Sequence, residues 1–150
     1  MSTQKIQTVI AATPEQVWAA ITDPEISPAY YYGFVAHYDD LTAGAPYEYR
    51  VGDAVMIAGN LREVVEGEKI GMTFRGQWTP AVAELPESTV TYELGATAMN
   101  IPGLTQLTLV HEGLPDTETA RDVEKGWVLI LSGLKTLLET GRTLVPAPAH

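Results

Sequence analysis

No cysteine occurs in the 150 residues. That excludes a disulfide framework, a cysteine nucleophile and thiolate metal ligation, and it fits a reducing compartment. Basic residues are also few, nine Lys and Arg against nineteen Asp and Glu, for a formal net charge of −10. They stand singly, at Lys5, Arg50, Arg62, Lys69, Arg75, Arg121, Lys125, Lys135 and Arg142. Nucleic-acid binding needs a clustered basic footprint that releases counterions, so no nucleic-acid partner is expected, and the same deficit disfavours an anionic membrane surface. No stretch approaches the roughly eighteen unbroken apolar residues of a membrane span, and the opening MSTQKIQTVIAAT lacks the pattern of a secretory leader. A cytoplasmic protein with no membrane partner is the expectation. Missing too are a G-x-S-x-G elbow, a phosphate loop, a dinucleotide fingerprint and H-E-x-x-H. The serines are Ser2, Ser27, Ser88 and Ser132. Ser132 lies within a helical pattern and Ser88 opens a strand, so neither reads as activated, and no cofactor or metal is expected.

Aromatic residues are scarce overall: three Trp, seven Tyr and two Phe. Five of them nevertheless fall in one short segment, PAYYYGFVAHY, from Pro28 to Tyr38. The rest of the chain decides whether that segment is ordinary core or the wall of a binding site.

At this length one core and one domain are expected, spanning 1–143, with 144–150 as a flexible tail because VPAPAH has no core to join. KIQTVIAAT suits a first strand. In TPEQVWAAI, Thr13 can cap a helix, Pro14 sits where its missing N–H costs nothing, and Gln16 completes a capping box, with Val17, Trp18 and Ile21 on one face. DPEISP repeats the signal with Asp23 and Pro24, but Pro28 allows little more than one turn. The tyrosines then lead into a loop from Phe34 to Pro46 that carries Asp39 and Asp40. YEYRVGDAVMIAGNLREVVEGEKIGMTF reads as two or three strands, with turns at Gly52-Asp53 and Glu66-Gly67-Glu68 and a kink or bulge at Gly59. In STVTYEL, Val90, Tyr92 and Leu94 alternate with polar residues; in TQLTLVHEG, Leu107, Leu109 and His111 do the same. GATAMNIPG bridges these two strands as a loop. From about Thr117 to Thr140, Ala120, Val123, Trp127, Ile130, Leu131, Leu134, Leu137 and Leu138 recur at helical spacing. Gly126 and Gly133 interrupt this stripe, a spacing that predicts close approach to a strand, and Gly141 closes the helix. The order predicts an α+β domain, a curved antiparallel sheet covered on one face by the long C-terminal helix, with two short helices after the first strand.

Taken in order, TPEQVWAAITDPE, GNLREVVEGEKIGMTF, STVTYEL and TQLTLVHEGLPDTETARDVEKGWVLILSGLKTLLE resemble the START-like superfamily, also called SRPBCC or Bet v 1-like. The resemblance is to the branch named after the activator of the heat-shock protein 90 ATPase. It covers nearly the whole chain and implies a helix-grip fold, a sheet curled around the C-terminal helix and enclosing a mostly apolar cavity. Members of the superfamily include lipid carriers, hormone receptors and polyketide aromatases or cyclases. Where the branch often carries a tryptophan pair after the second short helix, this chain has YYYGF, at what the resemblance makes the cavity mouth.

Candidate ligand-binding residues follow from these placements. Tyr30, Tyr31, Tyr32, Phe34 and Tyr38 offer broad apolar faces with hydroxyls that need partners when buried. Three adjacent tyrosines cannot all point inward on a regular element, so at least one is expected to be exposed. His111 is in phase with the core; a neutral buried histidine bonded to a carbonyl or a tyrosine is the commoner outcome, a polar anchor or general base the functional one. His37 lies beside Asp39 and Asp40, where solvated surface outweighs a metal site. Trp78, Tyr92 and Met99, with Asn100, are candidates to face the cavity, and Trp127 joins them from the helix stripe, where it also reads as core together with Trp18. Glu112 and Arg75 read as solvated.

A dry cavity of about 300 Å³ would cost about 7 kcal/mol at roughly 24 cal/mol per Å³, comparable with a typical net stability of about 5–15 kcal/mol. A cavity of that size is retained only if it is filled or used. The leading expectation is therefore a protein that binds an apolar or aromatic small molecule between sheet and helix. An aromatase or cyclase using the same cavity comes second, since it needs two convergent titratable groups. A chaperone-associated interaction domain comes third, and a homodimer is compatible with all three.

Overall fold

The computed structural model describes residues 2–145. Seven antiparallel strands form one sheet: β1 (Ser2–Ile10), β2 (Val35–His37), β3 (Pro46–Val51), β4 (Ala54–Val65), β5 (Lys69–Gly76), β6 (Ser88–Gly95) and β7 (Thr105–Leu114). Their order is β1-β7-β6-β5-β4-β3-β2. Consecutive strands from β2 to β7 are neighbours, as short turns require, and β1 closes the far edge by pairing with β7 from Ser2↔Leu114 to Ile10↔Thr105. Three helices are α1 (Pro14–Thr22), the single turn α2 (Pro80–Ala83) and the long C-terminal α3 (Glu118–Thr140). This is the expected helix-grip arrangement.

The local signals act as read. Thr13 Oγ1 accepts from the Gln16 backbone N–H at 3.2 Å while Gln16 Oε1 accepts from the Thr13 N–H at 2.9 Å, which satisfies two orphan donors of α1. Val17, Trp18 and Ile21 are buried. Thr117 caps α3, Gly141 ends it at φ 75°, and the residues from Ala120 to Leu134 in its apolar stripe are buried against the sheet. Val90, Tyr92 and Leu94 on β6 and Leu107, Leu109 and His111 on β7 are buried, which fixes the sheet face that α3 covers.

The second short helix is a 3-10 turn, Ser27–Ala29, with Pro28 inside it as the proline spacing implied; ahead of it Asp23 Oδ1 accepts from the Glu25 N–H at 2.8 Å in a local turn. The expected loop after Phe34 contains β2, a three-residue edge strand paired with β3. Gly126 and Gly133 do not approach a strand. A Cβ at Gly126 would meet the Tyr32 hydroxyl at 3.1 Å and one at Gly133 would meet Tyr30 Cβ at 3.5 Å, so their neighbours are the tyrosine segment. Of the tail expected over 144–150, residues 146–150 lie outside the described residues; Leu144 and Val145 line a hollow beside Tyr30 and Gly133. At Gly59 the close approach is to β5, where a Cβ would come within 2.2 Å of the Thr73 carbonyl oxygen.

Candidate functional site

The tyrosine segment is sorted by one tight turn. The Phe34 N–H donates to the Tyr31 carbonyl at 2.8 Å, and the two residues between have φ of 54° at Tyr32 and 76° at Gly33. Left-handed backbone at both central positions is type I′ turn geometry; glycine takes it freely, whereas tyrosine is strained there. The turn sends Tyr30 and Tyr31 inward and leaves Tyr32 half exposed at 50%. The Tyr30 hydroxyl donates to the Ala20 carbonyl at 2.6 Å and ties the segment to α1. Tyr31 stacks tilted on Tyr49 at 4.5 Å between ring centroids and meets Trp127 edge-on at 5.9 Å. The Tyr32 hydroxyl reaches the Gly126 carbonyl at 3.3 Å.

Between this turn, α2 and the first half of α3 lies a hollow of about 330 Å³, within the range of small-molecule sites. Six aromatic side chains wall it: Tyr31, Tyr32, Phe34, Phe74, Trp78 and Trp127. They form a near-continuous lattice, with Phe34 to Trp78 at 6.4 Å, Trp78 to Phe74 at 6.2 Å and Phe74 to Trp127 at 5.9 Å. Gly76 allows it, because a Cβ there would strike the Trp78 ring at 2.5 Å. Val82 and Ala81 of α2 and Val123 and Ile130 of α3 complete the apolar lining, and Thr79, Thr119 and Asp122 are its polar members. Among the described residues Asp122 is the lining's only Asp, Glu, Lys, Arg or His. A second hollow, of about 350 Å³, lies further along α3, bounded by Pro28, Ala29, Tyr30, Tyr32 and Gly33 on one side and Thr143, Leu144 and Val145 on another. Tyr32 belongs to both walls.

His111 is fully buried, and both its ring nitrogens are used. Trp127 Nε1–H donates to Nδ1 at 2.9 Å; an indole N–H can only donate, so Nδ1 is unprotonated and Nε2 carries the hydrogen. Nε2–H then donates to Ser88 Oγ at 2.7 Å, and Ser88 passes a donor on to the Phe74 carbonyl at 3.3 Å. Burial lowers the His111 pKa to about 4, so the ring is neutral near pH 7. The chain runs the wrong way for nucleophile activation, which needs histidine to accept from serine and a carboxylate behind it. His111 thus holds Trp127 and Ser88 in place and offers no free nitrogen to a ligand. Its partners are a tryptophan and a serine in place of the expected carbonyl or tyrosine.

Other candidates fall apart from the hollow. Met99 is 92% exposed in the loop between β6 and β7, at φ 67°, and does not face the cavity; Asn100 beside it is exposed too. His37 is on edge strand β2 opposite Glu48 and lines neither hollow. No group of three or more metal-ligating side chains occurs among the described residues. Tyr92 is buried under the curve of the sheet, within a void too small for a ligand that Tyr31, Tyr47, Tyr49, Met72 and Trp127 share. Tyr38 bonds to Tyr49 through their hydroxyls at 2.8 Å. Burial, then the proximity of Tyr92, raises the Tyr30, Tyr31 and Tyr38 pKa values well above the usual phenol range, so these hydroxyls stay neutral. The sequence reading missed Phe74, Thr79, Val82, Thr119, Asp122 and Gly126. A signal existed on α3, where Thr119, Asp122 and Gly126 follow at three- and four-residue steps along the edge of the apolar stripe.

The family model described as Activator of Hsp90 ATPase homolog 1-like protein matches residues 11–139. No match is found among curated proteins. Among solved structures, protein CV1439 from Chromobacterium violaceum is 28% identical, with a TM-score of 0.69 over 91% of this chain and 96% of that one. PFC0360w, an HSP90 activator from Plasmodium falciparum, is 22% identical, with a TM-score of 0.74 over 92% and 96% of the two chains. The Aha1 dimer from Colwellia psychrerythraea is 15% identical, with a TM-score of 0.69 over 94% and 98%. At the last two identities the likeness shows the fold alone. With the helix-grip fold in place and the family model matching most of the chain, this protein belongs to the Activator of Hsp90 ATPase homolog 1-like family.

Proposed function

We propose that the protein binds an apolar or aromatic small molecule, uncharged or cationic, in the aromatic hollow over the first half of α3. The observation that carries this reading is the wall itself, six aromatic side chains around about 330 Å³ with Asp122 as the one charged residue. Ring faces attract cations as well as apolar surface, and among the described residues no Lys or Arg lines the hollow to neutralise an anion. The absence of cysteine fits action in the cytoplasm. An aromatase or cyclase activity in the same hollow ranks behind binding. It requires two titratable groups that converge, and His111 is committed to Trp127 and Ser88 while the buried phenols are held neutral. A chaperone-associated role is the further alternative. Homodimer formation, the assembly described for the Colwellia protein, is part of the proposal and is compatible with either.

Calorimetric titration with 2-naphthylmethanol, 2-naphthylmethylamine and 2-naphthoic acid tests the reading. The alcohol and the amine are expected to bind, the acid most weakly, and Trp78→Ala is expected to weaken the alcohol about tenfold. Tightest binding by the acid, or no heat from any of the three, would refute it.

A further inference from the structure

We propose that the two hollows are halves of one elongated groove and that Tyr32 is the movable partition between them, so that the ligand is a long, chain-shaped apolar molecule. This rests on the binding function proposed above and adds the shape of the ligand.

The floor is continuous. Thr119, Asp122 and Gly126 line the first hollow; Leu129 and Gly133 line the second. These five residues follow one another by three, four, three and four positions, which places them in a single row along one face of α3. At 1.5 Å per residue the row is about 21 Å long. The volumes are nearly equal, about 330 and 350 Å³, and one side chain, Tyr32, stands in both walls.

That side chain is held loosely for an aromatic. It is half exposed and sits on strained left-handed backbone. Among the described residues the one hydrogen bond of its hydroxyl is a long one, 3.3 Å, to a helix carbonyl. Rotating the ring outward breaks that bond and the ring contacts with Tyr31 at 6.5 Å and Phe34 at 5.9 Å, and it leaves Tyr30 and Tyr31 in the core. Gly126 leaves the space into which the hydroxyl fits, since a Cβ there would lie 3.1 Å from it. The charge pattern orients the chain: among the described residues the second hollow has no charged member and the first has Asp122. An apolar tail therefore lies toward Gly133, and a hydroxyl or ammonium head toward Asp122.

The test is chain length. Hexanol, octanol, decanol and dodecanol are titrated into the wild type, Tyr32→Ala and Leu129→Asn, with folding of each variant checked by its thermal melt. Leu129 is 39% exposed, so its replacement is tolerated by the fold. If the groove is continuous, affinity rises through dodecanol by up to about fourfold per added methylene. Tyr32→Ala then raises dodecanol affinity further, and Leu129→Asn cuts the ratio of dodecanol to hexanol affinity about tenfold. A rise that stops at octanol in both the wild type and Tyr32→Ala, with that ratio unaltered by Leu129→Asn, would overturn the continuous groove and leave the first hollow standing as a site. No binding by any alcohol, with none by the naphthalene compounds, would remove both.

Discussion

Single residues set the character of the site, and His111 shows how. Its ring is fully buried, takes a hydrogen bond from Trp127 and gives one to Ser88, so protonation would bury a charge and set two donors against each other. The folded pKa of about 4 lies below the unfolded value of 6.5, which gives the sign of the pH dependence. Between those values the unfolded chain binds the proton and the folded one does not, so stability falls as pH drops through this window. The contribution is complete above pH 6.5 and is lost by pH 4, about 3 kcal/mol in all. Urea unfolding at pH 7 and pH 4.5 measures it: the drop is expected to be smaller by about 2 kcal/mol in His111→Gln than in the wild type. Equal drops in the two proteins would show that His111 is not the group responsible. The phase of His111 with Leu107 and Leu109 was enough to place it in the core. Its partners were not legible, because Ser88 and Trp127 are brought to it by two other elements. Tyr32 is the converse case: Gly33 signals a turn with positive φ, but the strained tyrosine before it leaves no mark in hydrophobic pattern.

Elements with an internal signal were legible and those defined by a neighbour were not. The capping box of α1, the stripe of α3 and the alternation of β6 and β7 are periodic or local, and each places its residues as expected. β2 has three residues and exists because β3 offers it an edge, and α2 is one turn lodged over β5, so neither has a period to read. The glycines of the elements differ in the same way, by what a Cβ would meet. At Gly133 of α3 it would make an ordinary contact with Tyr30 at 3.5 Å, so Gly133→Ala is expected to raise stability by about 0.5–1 kcal/mol through helix propensity. At Gly59 of β4 it would collide with the Thr73 carbonyl at 2.2 Å, and Gly59→Ala is expected to cost about 2–3 kcal/mol. Denaturant midpoints with unchanged slopes test both; a destabilised Gly133→Ala would mean that the tyrosine segment packs on α3 more tightly than the structure shows.

At the scale of the molecule, the sheet and α3 supply a rigid frame, and the hollow arises where the frame is covered by irregular chain. The tyrosine turn and α2 face α3 there, and the Tyr32 hydroxyl spans the gap to the Gly126 carbonyl of α3. The aromatic segment singled out in the sequence is therefore both things at once: Tyr30 is core, Tyr31 and Phe34 are core with one face toward the hollow, and Tyr32 stands at its edge. The proposed function puts an apolar molecule in this hollow. The three tryptophans allow a direct test, since Trp78 and Trp127 line it and Trp18, on α1, does not. The measurement is a ¹⁵N-correlated NMR titration of the indole N–H signals with 2-naphthylmethanol. Saturable shifts of the Trp78 and Trp127 signals with Trp18 unmoved are expected; three unmoved signals, or a shift confined to Trp18, would rule out binding in the hollow.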